Sequence, residues 1–503
     1  MNSILSDMAT GEDLNASEKR RRTLYKAFES GDTRFDGQVF VGVSSTGIYC
    51  RTVCKAKMPK YENCLFFRTA AEAEAAGFRP CMTCRPELAP GLSLVDAGSN
   101  LARRAAQMLQ ARCASSTSVE SIAAKLGYTD RHLRRAFEAE YGVTPAQYLR
   151  TCRLLLAKSL LTDTDLPVSR VAKASGFGSV RRFNDAFKEH YRLTPSDLRK
   201  RQGKTVIRVG TIALHLSYRP PYRFSELLAF FRDRALAHVE LVDDTSYTRT
   251  VRLEDRDGNI ACGWVRVEDD PANNQLVVTM SDELVPVVSE VIARVRRMFD
   301  VDSDPVAISR ALSPLEKAVP DVRIDGIRVP GCFDTFEIAC RAVIGQQVSV
   351  KAANKLAGRI AERYGEKVET GIEELDRAWP SAAAVRSLAN VEDAFGELGL
   401  IKTRSRAIDA IAALIDEGAL DLDTGAVAEV QMEALLQVRG IGPWSANYIA
   451  MRTLSYPDAF LETDAGVAHA LPELTPKERL ALVEDCRPWR SYAVLALWDS
   501  LSE

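Results

Sequence analysis

At 503 residues the chain is too long for one hydrophobic core, so two to four domains are expected. Its 46% hydrophobic and 27% charged residues are those of a globular protein. No uncharged apolar run reaches the ~18 residues of a membrane-spanning helix, so no membrane span and no membrane partner are expected. The net charge of −2 conceals an asymmetry: residues 1–204 carry 33 Lys and Arg against 21 Asp and Glu, and the remainder carries 33 against 47. A basic half of this size fits a polyanion such as nucleic acid, with ordinary solvated faces as the plainer reading.

The N-terminus, MNSILSDMATGEDLNASEKRRR, has no apolar segment of the kind a secretory signal needs, so residues 1–17 are expected to be disordered and the protein cytoplasmic. Eleven cysteines, an odd number, argue against a disulfide framework. Seven lie singly among apolar neighbours and read as core residues. The other four form Cys50-x3-Cys54 and Cys81-x2-Cys84, within a module expected over residues 18–92. Two tight turns can bring these thiolates to one tetrahedral Zn2+; a purely structural zinc site is the alternative.

Residues 95–200 are helical by pattern and contain an internal repeat. Ile122-Ala-Ala-x-x-Gly127-Tyr128 recurs as Val171-Ala-x-x-x-Gly176-Phe177, and Leu133, Phe137, Tyr141 and Thr144-Pro145 recur as Phe183, Phe187, Tyr191 and Thr194-Pro195. Each copy reads as helix, glycine turn, helix. The second helices, near 129–140 and 179–190, present Arg131, His132, Arg134, Arg135 and Arg181, Arg182, Asn184, Lys188, residue types that contact bases and phosphates in a major groove.

Beyond a linker near Arg199 to Lys204, alternating segments at 206–216, 237–241, 247–253, 260–267 and 275–278 predict a small antiparallel sheet within residues 205–284. From residue 285 to 503 the pattern is helical with short Gly and Pro breaks, and predicts a bundle with its site between helices. Within it, Leu435 to Tyr448 has the form of a helix-hairpin-helix: Gly440 and Gly442 allow a tight turn, and the N–H groups before the second helix can hold a phosphate. Asp464 follows about twenty residues later.

The residues around the cysteines, Ser45 to Cys54 and Ala76 to Pro86, resemble the N-terminal domain of the Ada adaptive-response family. The resemblance implies that all four cysteines bind one zinc ion and that Cys50 also accepts a methyl group from a DNA methylphosphotriester. Residues 95–200 resemble the AraC-type DNA-binding domain, in which a long helix, here about Pro145 to Leu161, joins two helix-turn-helix units. The chain from about 205 to 500 resembles the helix-hairpin-helix glycosylases of the 3-methyladenine DNA glycosylase II type. That resemblance rests on Tyr218-Arg-Pro-Pro-Tyr222, Pro330 to Phe336, Gly345-Gln-Gln-Val-Ser349, Gly440-Ile-Gly442 and Pro488-Trp-Arg-Ser-Tyr492. It implies Asp464 as the catalytic carboxylate and Trp444, Tyr448, Trp498 and Phe230 as the aromatic base pocket.

Three positions depart from the glycosylase pattern: Gln347 stands where a leucine wedge is usual, Ala465 replaces an aromatic beside the aspartate, and Arg439 replaces the hairpin proline. Trp444 occupies the Schiff-base lysine position of lyase-competent relatives, so strand cleavage is not expected. The Pro-Cys-His-Arg motif of a second methyl acceptor is absent from the sequence. The expected protein is a multidomain α+β fusion of alkylation sensor, transcription activator and monofunctional glycosylase. Its expected partners are double-stranded DNA, at promoters and lesions, and RNA polymerase. A sensing factor whose glycosylase-like domain only binds DNA is the alternative.

Overall fold

The computed structural model describes residues 14–91, 101–115, 117–201, 210–319 and 321–501. Two compact units divide the chain: one takes the chain up to Arg219 with Glu254–Asn259 and Asp270–Ala293, the other Pro220–Leu253, Ile260–Asp269 and everything from Arg294. Of the expected disordered N-terminus, residues 1–13 lie outside the described residues. Leu14 is buried, and the Asn15 side chain exchanges hydrogen bonds with the Phe66 backbone, so order begins before residue 18.

In the first unit, helix α1 (Glu18–Glu29) starts on the Ser17 cap, whose hydroxyl accepts from Arg20 N. Strands β1 (Phe40–Val43), β2 (Ile48–Arg51), β3 (Cys64–Phe67) and β4 (Arg79–Pro80) lie in the order β3-β1-β2-β4. β1 runs antiparallel to both neighbours, and β2 is parallel to β4. Helix α2 (Ala70–Ala75) precedes β4. Leu24, Phe28, Phe35, Val41 and Phe66 form the apolar core beside the cysteines.

The helical region follows as α3 (Leu101–Ala111), α4 (Val119–Lys125), α5 (Asp130–Tyr141), α6 (Pro145–Asp163), α7 (Val168–Ala174), α8 (Val180–Tyr191) and α9 (Pro195–Arg201). The repeated Thr-Pro pairs are helix starts: Thr144 caps α6 in a capping box with Gln147, and Thr194 accepts from Asp197 N ahead of α9. Proline suits the first helical position because its missing N–H has no intrahelical partner there. Gly176 adopts φ +80°, and a Cβ at that position would lie 2.9 Å from the Cys113 carbonyl oxygen and Ala114 Cα, so the second turn requires glycine twice over. Leu133, Phe137 and Tyr141 bury one face of α5, and Phe183, Phe187 and Tyr191 bury the matching face of α8.

The expected sheet segment contributes to both units. Strand Thr211–Ser217 pairs antiparallel with Gln275–Ser281 in the first, and Glu240–Val242 pairs antiparallel with Tyr247–Arg249 in the second. The rest of the second unit is mainly helical: α10 (Phe224–Arg232), α11 (Pro305–Ala318), α12 (Thr335–Ile344), α13 (Val350–Tyr364), α14 (Lys402–Asp416), α15 (Ala428–Leu436), α16 (Pro443–Thr453), α17 (Ala465–Ala470) and α18 (Arg490–Asp499). Its core includes Phe336, Val343, Ile360, Phe395, Ile411, Leu435 and Ile449. The fold is thus multidomain α+β, as the sequence predicts. Among the described residues, no helix is long and apolar enough to cross a membrane.

Candidate functional site

Strand β2 carries Cys50, and its parallel pairing with β4 delivers Cys81: the Cys81 N–H donates to the Tyr49 carbonyl at 2.9 Å. A turn after β2 returns Cys54, whose N–H donates to the Arg51 carbonyl at 3.2 Å. Ligand atoms of Cys50, Cys54, Cys81 and Cys84 all lie within 4.8 Å of one another. A tetrahedral ion about 2.3 Å from each sulfur needs S···S edges of about 3.8 Å, so the cluster fits one thiolate-bound metal. The four thiols compete for protons: hydrogen bonds to Cys54, Cys81 and Cys84 push the Cys50 thiol up, while the bond to Cys50 brings Cys54 down to about 7. Backbone N–H groups of Arg51 and Thr83 each reach a sulfur at 3.3 Å, on Cys84 and Cys81 respectively. The buried Arg51 side chain is clamped on Asp36 and also donates to the Cys84 carbonyl, which fixes the ligand loops to the β2 strand.

On the two helix-turn-helix units, Arg131, His132 and Arg135 are exposed on α5, and Arg181, Arg182, Asn184 and Lys188 are exposed on α8. Arg134 differs, because Asp130 and Glu120 hold its guanidinium at 2.7 and 3.1 Å within the first motif. Sequence reasoning missed two exposed apolar positions at the same helix starts: Tyr128, stacked on His132 at 5.1 Å, and Val180. An apolar group at a recognition-helix N-terminus can meet a thymine methyl, and the only sequence signal for it was an apolar residue out of helical phase.

In the second unit, α15 and α16 form the expected hairpin. Gly440 at φ +99° makes the turn, and Gly442 is the α16 cap residue. Asp464 caps α17 through Oδ1, which accepts from Gly466 N at 2.8 Å and Val467 N at 3.1 Å. Both indoles point at the same carboxylate: Trp498 Nε1 donates to Oδ1 at 2.8 Å and Trp444 Nε1 to Oδ2 at 3.0 Å. Gly466 permits this, since a Cβ there would stand 2.7 Å from Trp498 Cδ1.

Trp444 and Tyr448 stack at 5.2 Å and 6°, one turn apart on α16. Phe230 and Trp498 lie 6.4 Å apart at 15°, close to the about 7 Å that two van der Waals contacts of ~3.5 Å would need to hold a planar base between them. Of the four predicted aromatics, Trp444 and Trp498 bond to Asp464, Tyr448 and Phe230 stack on these two, and all four are only half-buried. Two cations escaped the sequence reading. Arg452 is buried, donates to the Tyr448 hydroxyl at 2.6 Å and lies over Phe230 at 4.9 Å; Arg234 covers Phe230 at 3.8 Å. Burial raises the Tyr448 phenol, but Arg452, Arg234 and Arg341 outweigh it and leave the group below its ordinary value.

Gln347 is exposed in the loop between α12 and α13 with φ +52°, a left-handed conformation that is uncommon for a residue other than glycine. Its neighbour Gln346, also unforeseen, ties this loop to the hairpin by donating to the Gly440 carbonyl at 2.9 Å and to Ser445 Oγ at 3.0 Å. The Gln347 loop and the hairpin turn are thus tied together.

Comparison with known proteins gives each module a counterpart. The metal binding domain of Ada matches residues 23–87, a helix-turn-helix domain matches 103–201, and the AlkA N-terminal domain matches 213–334. The probable bifunctional transcriptional activator/DNA repair enzyme AlkA of Mycobacterium tuberculosis is 37% identical over 492 residues, covering 95% of this chain and 96% of its own. DNA-3-methyladenine glycosylase 2 of Escherichia coli is 35% identical over 56% of this chain and 95% of its own. The bifunctional transcriptional activator/DNA repair enzyme AdaA of Bacillus subtilis is 29% identical over 35% of this chain and 81% of its own. A four-cysteine module, a duplicated helix-turn-helix and a helix-hairpin-helix pocket on one chain define a fused transcription regulator and DNA-repair protein. The chain belongs to the family of bifunctional transcriptional activator/DNA repair enzymes of the AlkA type.

Proposed function

We propose that the protein takes one methyl group from a DNA methylphosphotriester onto Cys50, that this methylation strengthens promoter binding and activates transcription through RNA polymerase, and that Asp464 drives excision of alkylated purines such as 3-methyladenine. The observation that carries the repair reading is the Asp464 carboxylate, held on both oxygens by indole N–H groups beside a slot of parallel aromatics.

Cys50, Cys54, Cys81 and Cys84 would hold one Zn2+, which when bound would keep the thiolates deprotonated at neutral pH. Backbone donors from Arg51 and Thr83 draw charge from Cys84 and Cys81, which favours attack from a different sulfur. Cys50 Sγ forms the new bond to the methyl carbon, and the phosphate oxygen leaves with the electron pair as an ordinary phosphodiester anion. The reaction is stoichiometric, because a methyl thioether is a poor methyl donor and keeps its methyl group. With one Zn2+ bound, the four thiolates would leave the site a formal charge of about −2, and methylation of Cys50 would remove one negative charge. At an effective dielectric of about 20, a unit charge ~4 to 8 Å from a phosphate is worth roughly 2 to 4 kcal/mol before screening, enough to change DNA affinity.

In excision the alkylated purine is already cationic and leaves readily. Asp464 stabilises the positive charge that develops on the sugar and directs water to it. Phe230, Trp498, Trp444 and Tyr448 favour a flipped cationic ring by stacking and cation-π attraction of about 0.5 to 2 kcal/mol. Trp444 offers no amine, so the reaction ends at the abasic site.

The decisive experiment incubates the zinc-loaded protein with methylated duplex DNA and maps protein methylation and released bases by mass spectrometry. One methyl on Cys50 together with free 3-methyladenine is expected. Methylation elsewhere, or no released base, overturns the corresponding half of the proposal.

A further inference from the structure

Successive side chains of a strand point to opposite faces, so Tyr49 leaves β2 on the side away from the Cys50 sulfur. It is fully buried, and its hydroxyl donates to Glu74 Oε1 on α2 at 3.1 Å. The other oxygen of Glu74 accepts from Thr151 Oγ1 on α6 at 2.6 Å, and His190 Nε2 on α8 lies 3.7 Å from it. One buried carboxylate thereby touches the methyl-acceptor strand, the long helix between the two DNA-binding motifs, and the second recognition helix.

Nearby contacts run the same way. Lys158 on α6 is 2% exposed, pairs with the buried Glu87 and lies 3.5 Å from the carbonyl of Cys81. Arg85, next to Cys84, grips Asp163 at the end of α6 through both terminal nitrogens at 2.7 Å. Buried polar contacts of this kind contribute little net stability compared with apolar packing, and their best-supported use is to fix one geometry among several. Hydroxyl donors on both sides of one carboxylate fix distance and angle together, which an apolar seam does not.

We propose that Glu74 is a positioning residue: by accepting from Tyr49 and Thr151 it sets the acceptor strand of the cysteine module against α6 and α8, so that a change at Cys50 reaches the DNA-reading face of the second helix-turn-helix. The proposal rests on the reading that methylation of Cys50 strengthens DNA binding. The charge change at the cysteines acts on nearby phosphates directly, and Glu74 adds a mechanical path to a recognition helix.

The test uses the zinc-loaded full chain and methylated duplex DNA. The parent, Glu74→Gln, Thr151→Val and Thr151→Ser are compared for zinc content, methyl uptake, DNA affinity before and after uptake, and hydrogen exchange of helix 180–191 before and after uptake. Expected is a parent affinity gain of about tenfold, within the range usual for coupled sites. Glu74→Gln and Thr151→Val should lose most of that gain with zinc and methyl uptake intact, and Thr151→Ser, which restores the hydroxyl, should recover it. An undiminished gain in both variants overturns the role of Glu74 and leaves the methylation switch standing. A parent whose affinity is indifferent to methylation overturns the switch instead. Helix exchange then decides Glu74: a methylation-dependent change abolished by Thr151→Val upholds the path, and exchange insensitive to methylation or to the variants removes it.

Discussion

Trp498 Nε1 stands 2.8 Å from Oδ1 of Asp464, the same oxygen that caps α17. The contact exists because residue 466 is glycine: a Cβ there would lie 2.7 Å from Trp498 Cδ1 and 2.9 Å from Nε1. Trp498→Phe keeps an aromatic wall but removes a charge-assisted hydrogen bond of about 1.5 to 3 kcal/mol, so excision should slow roughly 10- to 100-fold. Gly466→Ala should produce the same loss with the indole still present, by displacing it. Single-turnover release of 3-methyladenine checks both, with DNA affinity as the control. Parent-like rates in Trp498→Phe would show that the indole only packs.

The cysteine cluster separates two roles. Cys50→Ala removes the proposed acceptor and should abolish methyl uptake, measured by mass spectrometry after incubation with methylated DNA. Cys54→Ala, Cys81→Ala and Cys84→Ala should each lose zinc and destabilise residues 18–92, because small metal modules owe much of their folding energy to the ion. A Cys54→Ala chain that keeps its zinc and full uptake would mean that three thiolates suffice.

Much of this arrangement was legible in the sequence because its signals are local. The Thr-Pro pairs at 144 and 194 mark helix starts by capping chemistry alone, the turn at Gly176 needs glycine for reasons of local backbone, and the cysteine spacings fit one ion. What was illegible lies in pairs far apart in sequence. Trp498 meets Asp464 across 34 positions, Tyr49 meets Glu74 across 25, and Thr151 meets Glu74 across 77. Nothing in the local pattern of a glutamate on an alanine-rich helix announces burial between two modules. Arg452 was hidden for a related reason, since an arginine on a helix reads as solvated until its neighbours are known.

Glu74 also predicts a pH dependence. Burial raises its carboxyl from the ordinary 4.5 to about 7, with hydrogen bonds from Thr151 and Tyr49 offsetting part of the effect. An acid whose native pKa lies above its unfolded one binds more protons when folded, so its contribution is most favourable at low pH. That contribution is lost as pH rises from about 4.5 to about 7, by an amount on the order of 3 kcal/mol. Glu74→Gln removes this titration, so its melting temperature relative to the parent should climb as pH goes from 5 to 7 and then level off. Taking the difference between variant and parent cancels the protonation of the zinc thiolates, which both share. A flat difference across that range would place the Glu74 carboxyl near its ordinary value.

Asp464→Asn isolates charge from shape at the excision site. Asparagine is as good a helix cap as aspartate, so α17 should stay in place. Oδ1 accepts from two backbone N–H groups and from Trp498, which keeps the amide oxygen on that side and leaves the amide nitrogen facing Trp444 Nε1, donor against donor. The variant therefore loses one hydrogen bond and the whole negative charge, while the hairpin at Gly440 and Gly442 and the Gln346 tie to it are untouched. Loss of about 4 kcal/mol of transition-state stabilisation corresponds to a roughly thousandfold slower release of 3-methyladenine, with DNA affinity within a few-fold of the parent. Single-turnover kinetics with binding measured on the same duplex would check this. An Asp464→Asn chain that excises at the parent rate would remove Asp464 from the chemistry and leave the aromatic slot as a binding surface.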